Sequence, residues 1–466
     1  MKTFIHLLIG FALLFPLTGS GQWSPKIKLS PGSIAASLNE NMGPCLAVSG
    51  DTLHVVWSDH RSYGTAIYYS HSHDRGLNWS APIALTDTTG NATFPAVAVS
   101  GGIVHLVWFN QPNSWYRRSV DGGVSWGSAV LLDNNTKFWP GISSSGSMVV
   151  VSLNKEVVTG NTEVFFRRSM NNGITWESEV QISNANGRSE DPAISARDSQ
   201  IHLAWNDNRD GNMRTYYRRS LDYGLSWGPE TSLINGGAMS YSTMVSLNGP
   251  YVDVPCGDTR TGNYDIWIKQ SSDTGSTWTP EKQLTNDPAL EAYPYLVRDS
   301  MRLHLVFIRW NTGAMYMNSI DGGSNWSSPV LLGKGGQPYI AFTGCVLHAI
   351  WPDSGSIWYS TNPTGNCDPT GIPGDRYPVS MQLNLKIRPN VIRRKATIEF
   401  NLAENCPVKL QIFDISGREK AVLLNEELQA GLNSVSFSAD GLPPGIYICK
   451  LIAANNIRTE KLVIVK

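Results

Sequence analysis

Charge is scarce in this chain. Only 16% of its 466 residues are Asp, Glu, Lys or Arg, and they cancel to a formal net charge of −1. That balance excludes an electrostatic footprint for nucleic acid or an anionic membrane. Metal-binding cysteine spacings are missing too. The six cysteines include no Cys-x-x-Cys pair, so no zinc ribbon or dithiol redox motif is written here. Neither a metal nor a cofactor is expected. Long apolar runs are confined to the start. Lys2 precedes an apolar stretch, Phe4 to Leu17, broken only by His6, Gly10 and Pro16. Thr18-Gly19-Ser20-Gly21 then supplies small residues, so residues 1–21 read as an export signal cleaved before Gln22. The run is short for a membrane span, and nothing after it is apolar enough to make one.

Glycine and tryptophan, by contrast, are plentiful, at 43 and 16 residues. They recur in one eight-residue pattern, Ser-x-Asp-x-Gly-x-x-Trp. It starts at Ser72, Ser119, Ser169, Ser220, Ser271 and Ser319. The central residues are Asp74, Asp121, Asn171, Asp222, Asp273 and Asp321, spaced 47 to 51 apart. Such a period means a solenoid, a propeller or an array. The segments between alternate apolar and polar residues as strands do, which selects a propeller. In each turn the acid accepts backbone N–H groups, the Gly supplies positive φ or close approach, and the Trp buries its ring between strands. The motif resembles the Asp box of the sialidase-type β-propellers.

Alignment of the copies gives four strands per unit. Strand A follows Pro44, Pro95, Pro140, Pro192, Pro294 and Pro338, with Thr243 in the fifth copy. Strand B occurs seven times, and the seventh unit lacks an Asp box and a strand D. Residues 23–30, WSPKIKLS, match a box Trp plus strand D, such as WSAPIALT at 79–86. The expectation is an all-β, seven-bladed propeller over 22–361, closed by this N-terminal strand. Residues 24–30 then pair with 356–361 and leave no open sheet edge. Six blades, the number in sialidases, is the alternative.

Residues 362–382 are rich in Pro and Gly and read as a linker. Residues 383–466 return to strands and turns, as in a small β-sandwich. Pro389-Asn390, Asp414-x-x-Gly417-Arg418, Ala430-Gly431, Leu442 to Tyr447 and the closing Lys461 to Lys466 resemble the C-terminal sorting domain of type IX secretion substrates. That resemblance implies handling by the type IX machinery through 383–466. The protein then lies outside, or on the outer surface of, a Gram-negative, Bacteroidetes-like bacterium. Cys256, which replaces a repeated Trp, is expected to be a buried thiol, and Cys406 with Cys449 is the disulfide pair to test.

Repetition separates scaffold from site. His54, His105, His202, His304 and His348 share one strand B register and are expected to be structural. Fourteen tryptophans also fit the repeat, counting Trp23; Trp139 and Trp310 do not. Trp139 falls in a D-to-A loop and Trp310 in a B-to-C loop, both on the face opposite the Asp boxes. Phe94, Glu190, Asp191, Tyr241, Glu291 and Tyr293 occupy other D-to-A loops and lead toward the central channel. Aromatic platforms beside carboxylates suit sugar rings; packing of the ring's top is the competing reading. Arg61, Arg209 and Arg260 each follow an Asp by two residues. They read as anion ligands or, since the pair repeats, as loop clamps.

The sialidase resemblance implies three arginines on the sugar carboxylate, a Tyr–Glu nucleophile pair and an Asp acid/base. Here Met42 stands where the first arginine belongs, and no Asp follows Arg61 at the expected place. Glu190, Asp191, Tyr241, Glu291 and Tyr293 are the catalytic candidates that remain, without a motif to fix them. The expected function is a secreted or surface-attached propeller that binds glycans, glycoproteins or other protein surfaces. A divergent sialidase-like exo-glycosidase is the alternative.

Overall fold

The Asp-box turn is the local unit from which the rest is built. In the computed structural model each box Ser hydroxyl donates to the central residue's Oδ1, at 2.6–2.9 Å, and accepts the N–H of the box Gly. The seventh box residue is always Asn, Ser or Thr: Asn78, Ser125, Thr175, Ser226, Thr277 and Asn325. Its N–H also donates to Oδ1, at 2.8–2.9 Å. Where Asn171 replaces Asp, its Nδ2 instead donates to Thr175 Oγ1 at 2.8 Å. These donors favour the ionised acid and hold Asp74, Asp121 and Asp222 down at about 2. The box Gly meets two demands at once. Gly123 has φ 94°, and a Cβ there would lie 1.7 Å from the Tyr69 hydroxyl of the preceding unit.

The structure describes residues 23–30, 35–38, 43–61, 64–234, 239–363, 365–366, 384–388, 391–392, 394–402, 406–414, 418–429, 431–453 and 456–465. The expected export signal and nearly all of the expected linker lie outside them. The chain divides into two compact units, Met1–Gly374 and Asp375–Lys466. Among the described residues all regular elements are strands, and no helix among them is long and apolar enough to cross a membrane.

The first unit holds seven antiparallel sheets of four or five strands. The fourth is representative: Ser189–Arg197, Gln200–Asp207, Arg214–Ser220 and Thr231–Ile234, in that spatial order. The A strands Leu46–Ser49, Thr93–Ser100, Thr136–Ser145, Ser189–Arg197, Ser246–Asn248, Glu291–Asp299 and Tyr339–Thr343 touch one another in an unbroken cycle. The seventh sheet is completed by Ile27–Lys28, with Ile27 opposite Tyr359 and Lys28 opposite Trp358. Ser24 N–H donates to Thr361 O at 2.7 Å, and Leu29 N–H to Ile357 O at 2.8 Å. The edge that a last sheet would expose on that side is thus paired by the start of the chain.

The strand B histidines are structural. Each shares a hydrogen bond with a strand C tyrosine: His54–Tyr69, His105–Tyr116, His202–Tyr217, His304–Tyr316 and His348–Tyr359, at 2.5–2.9 Å. Burial keeps all five imidazoles neutral and lowers their pKa to about 3 or 4.

The second unit contains a three-stranded and a five-stranded sheet over one apolar core. Cys406 and Cys449 do not form a disulfide there: Cys449 is a free, buried thiol. The register explains why. Ile412 stands opposite Cys449, six positions along the strand from Cys406 and so about 20 Å away. Cys256 is the expected buried free thiol, and Cys345 is disulfide-bonded.

Candidate functional site

The D-to-A loops share a backbone device. Phe94, Trp139, Asp191, Ser242 and Tyr293 occupy one register, immediately before Pro95, Pro140, Pro192, Thr243 and Pro294. All five have positive φ, from 38° to 56°. Four of the five A strands also slip register at this point, between Thr93 and Ala96, Phe138 and Gly141, Glu190 and Ala193, and Ala292 and Tyr295. A bulge with a left-handed non-glycine residue re-aims a side chain out of the ladder. Such conformations cost about 1–3 kcal/mol each and cluster at ligand sites.

Consecutive copies of this loop wall a cavity of about 570 Å³. The fourth unit contributes Arg188, Glu190 and Asp191, the fifth Met239, Tyr241 and Ser242, and the sixth Leu290, Ala292 and Tyr293. Trp139 from the third unit, Gly257, Tyr264 and Trp310 are the other described lining residues. The two tryptophans that the repeat leaves unexplained therefore lie on the same side of the sheets and line one cavity. Trp310 is 47% exposed, so its ring is open to a ligand. Trp139 packs edge-on against Phe94, with centroids 5.5 Å apart.

The carboxylates sit in unequal surroundings. Asp191 is buried and accepts a hydrogen bond from Asn206 Nδ2 at 3.0 Å. Burial, followed by the neighbouring Glu190, raises its pKa to about 7. Burial also raises Glu190, against the opposing pull of Arg188 at 3.8 Å. Tyr241 is raised by burial and by the two acids. The cavity thus offers aromatic faces, a carboxyl that holds its proton near neutrality and a second carboxylate beside it.

Other candidates lie elsewhere. Glu291 is fully buried and bound to Arg309 Nε at 2.7 Å, outside the cavity lining. Arg209 grips Asp207 with Nε at 2.8 Å and Nη2 at 2.6 Å, reaches Glu230 at 2.7 Å and stacks on Tyr216. Arg260 repeats this with Asp258, Glu281 and Trp267. Both arginines sit in loop clamps and neither lines the cavity. Arg61 ends the strand Thr52–Arg61, and its side chain is outside the described residues. Phe94 reaches the cavity only through Trp139. No metal-ligating cluster occurs among the described residues.

Sequence reasoning missed Arg188, Met239 and Leu290, although they share one register at 51-residue steps and precede Glu190, Tyr241 and Ala292 by two. Tyr264 was missed because it stands just before strand C, where the repeat gave no reason to look.

Family comparison matches residues 12–254, just over half of the chain, to the BNR repeat-like domain. The chain belongs to the BNR repeat-like family. Residues 386–465 of this BNR repeat-like protein match the secretion system C-terminal sorting domain, so it travels the type IX route to the exterior or cell surface of a Bacteroidetes bacterium. No curated protein matches the chain. Among solved structures it is similar to the polysaccharide lyase Uly1, at 9% identity and a TM-score of 0.49, over 73% of this chain and 99% of that one. It is similar to the NanB sialidase of Streptococcus pneumoniae, at 11% identity and 0.41, over 75% and 71%. A Trypanosoma rangeli sialidase mutant displaying trans-sialidase activity matches at 10% identity and 0.40, over 96% and 90%.

Proposed function

We propose that this secreted sialidase-like propeller binds a carbohydrate in the cavity walled by its third to sixth units. The observation that carries the reading is the convergence of Trp139 and Trp310, 171 residues apart in sequence, on one cavity with Tyr241, Tyr264 and Tyr293. Sugar rings present apolar C–H faces that stack on aromatics and hydroxyl edges that bond to carboxylates. Among the described lining residues there is no set of three arginines such as grips an anion in sialidases. Arg188 stands alone there and already faces Glu190.

A glycan array probed with the full-length chain tests this. Selective retention of a glycan class is expected, with Trp310→Ala cutting affinity at least tenfold, about 1.4 kcal/mol. Equal binding by Trp310→Ala would reject the cavity as the site. A second reading, an exo-glycosidase, draws support from Asp191, whose carboxyl keeps its proton near pH 7 as a general acid must. Turnover of aryl glycosides that disappears in Asp191→Asn would favour catalysis over binding alone.

A further inference from the structure

One aromatic platform recurs in strand C, and the second unit leaves it bare. Phe165, Tyr216, Trp267 and Trp358 share a register in the third, fourth, fifth and seventh units, opposite Leu153, Trp205, Cys256 and Trp351. Each ring lies under a cation of this chain. Lys155, Arg209, Arg260 and Lys26 stand 5.0, 4.3, 4.1 and 4.1 Å from the respective ring centres. In the third to fifth units a glutamate three residues after the box Trp pairs with that cation: Glu179, Glu230 and Glu281. The second unit places Trp115 in this register, opposite Trp108, and replaces the rest of the clamp. Asn110 stands where the fourth and fifth units have Asp207 and Asp258. Only Gln111 and Pro112 separate it from strand C, and Ala129 takes the place of the glutamate. Among the described residues no cation lies over the Trp115 ring, which lines a cavity of about 550 Å³.

The replaced clamp leaves a neutral slot with polar edges. Trp108 backs Trp115 with its ring plane only 13° away. Trp57 and Trp205 donate their indole N–H to Asp59 and Asp207. With Asn110 in that position, the Trp108 N–H and the Asn110 amide bond to none of the described residues, and both line the cavity. Asp87, also in the lining, is oriented through Oδ1 by the Thr89 N–H and hydroxyl, each at 2.9 Å. Arg117 donates to Gly127 O and Leu85 O, and Arg167 and Arg218 make the same pair of bonds in the next two units, so it serves the scaffold. Asp87 and Arg117 balance each other, so the lining favours neither an anion nor a cation. A bare indole face edged by an N–H, an amide and a carboxylate suits a sugar ring, whose C–H face stacks and whose hydroxyls both donate and accept.

We propose that this cavity of the second unit is a second glycan site, which takes a neutral hexose residue on Trp115. It is separate from the cavity of the third to sixth units and independent of what that cavity binds. The test is calorimetry of the full chain carrying Trp310→Ala, with maltohexaose, cellohexaose, mannohexaose and a hexa-arginine peptide at two salt concentrations. One of the hexaoses is expected to bind with equal affinity at both salt concentrations. Adding Trp115→Ala should cut that affinity at least tenfold, about 1.4 kcal/mol. Ala129→Arg, a change at an exposed position that supplies the missing cation, should do the same, and it decides the matter if Trp115→Ala does not fold. Hexaose binding that survives Ala129→Arg unchanged overturns the site. So does the failure of all three hexaoses, while a glycan array answered by the wild-type chain alone would leave the central reading standing. Hexa-arginine binding that needs Trp115 and fades at high salt would assign the platform to a cation and overturn the sugar.

Discussion

At the scale of single residues, Asp191 is the most constrained group in the cavity and the most revealing one to change. Its ordinary carboxylate pKa is near 3.8, whereas burial in the fold raises it to about 7. The folded state therefore holds a proton that the unfolded chain releases between those values. The carboxyl costs no stability below pH 4, and its penalty grows as pH rises and is complete above pH 7. Asn at this position keeps an oxygen for the Asn206 amide without the buried charge. Asp191→Asn is expected to stabilise the protein by about 2–4 kcal/mol at pH 8 and by almost nothing at pH 4. Urea unfolding at the two pH values checks this, and a gain independent of pH would contradict it. The sequence exposed Asp191 because it interrupts a repeat register that holds Phe, Trp, Ser and Tyr elsewhere. It hid the environment of that carboxyl, because Asn206 and Arg188 become neighbours only through strand pairing and the bulge. The arginine clamps were readable for the complementary reason: Asp-x-Arg recurs, and a recurring pair serves the unit that repeats.

At the scale of elements, the closing strand is the piece on which the first unit depends. Residues 23–30 contribute the outer strand of the seventh sheet through contacts more than 300 residues distant in sequence. Beyond the backbone bonds, Ser360 Oγ donates to Ser24 O at 2.7 Å, and Ile357 N–H donates to Ser30 Oγ at 2.7 Å. Lys26 pairs with Asp353 at 2.8 Å and lies over the Trp358 ring at 4.1 Å. Trp23 packs on Tyr316, and Leu29 joins the core. Four hydrogen bonds at about 1 kcal/mol each, plus two large apolar side chains at about 1.5–3 kcal/mol each, give about 7–10 kcal/mol. A chain beginning at residue 31 should therefore unfold far more easily than one beginning at residue 22. An unchanged thermal midpoint would show that closure contributes little. This element was legible because WSPKIKLS repeats the outer-strand grammar of WSAPIALT. The bulges of the inner strands were not legible, since a Pro after an aromatic or an acid specifies no left-handed residue by itself.

At the scale of the whole molecule, the period near 50 made the architecture readable and concealed the site by the same token. Thirteen of the described residues line the cavity, and the repeat could flag only those that depart from it. The five buried histidines show what the repeated positions do together. Each is neutral in the fold with a pKa of about 3 or 4, against 6.5 when exposed. Their stabilising contribution is complete above pH 6.5 and is lost as pH falls through 4 toward 3, because unfolding lets each imidazole take up a proton. Asp191 works in the opposite direction between pH 3.8 and 7, and Glu190 and Glu291, raised by burial, oppose in the same sense, but these are three groups against five. The Asp-box acids, held at about 2 or lower, titrate below this window. At pH 5 unfolding should therefore bind about two to four protons, and stability should climb from pH 5 to 7. Urea midpoints measured at half-unit steps give the proton count from the slope. A chain whose repeats did not share this buried histidine–tyrosine pair would show a shallow profile. A flat curve over that interval would mean that the imidazoles are already charged in the folded state, and the pairing seen in five of the seven sheets would have to be rebuilt around cationic histidine.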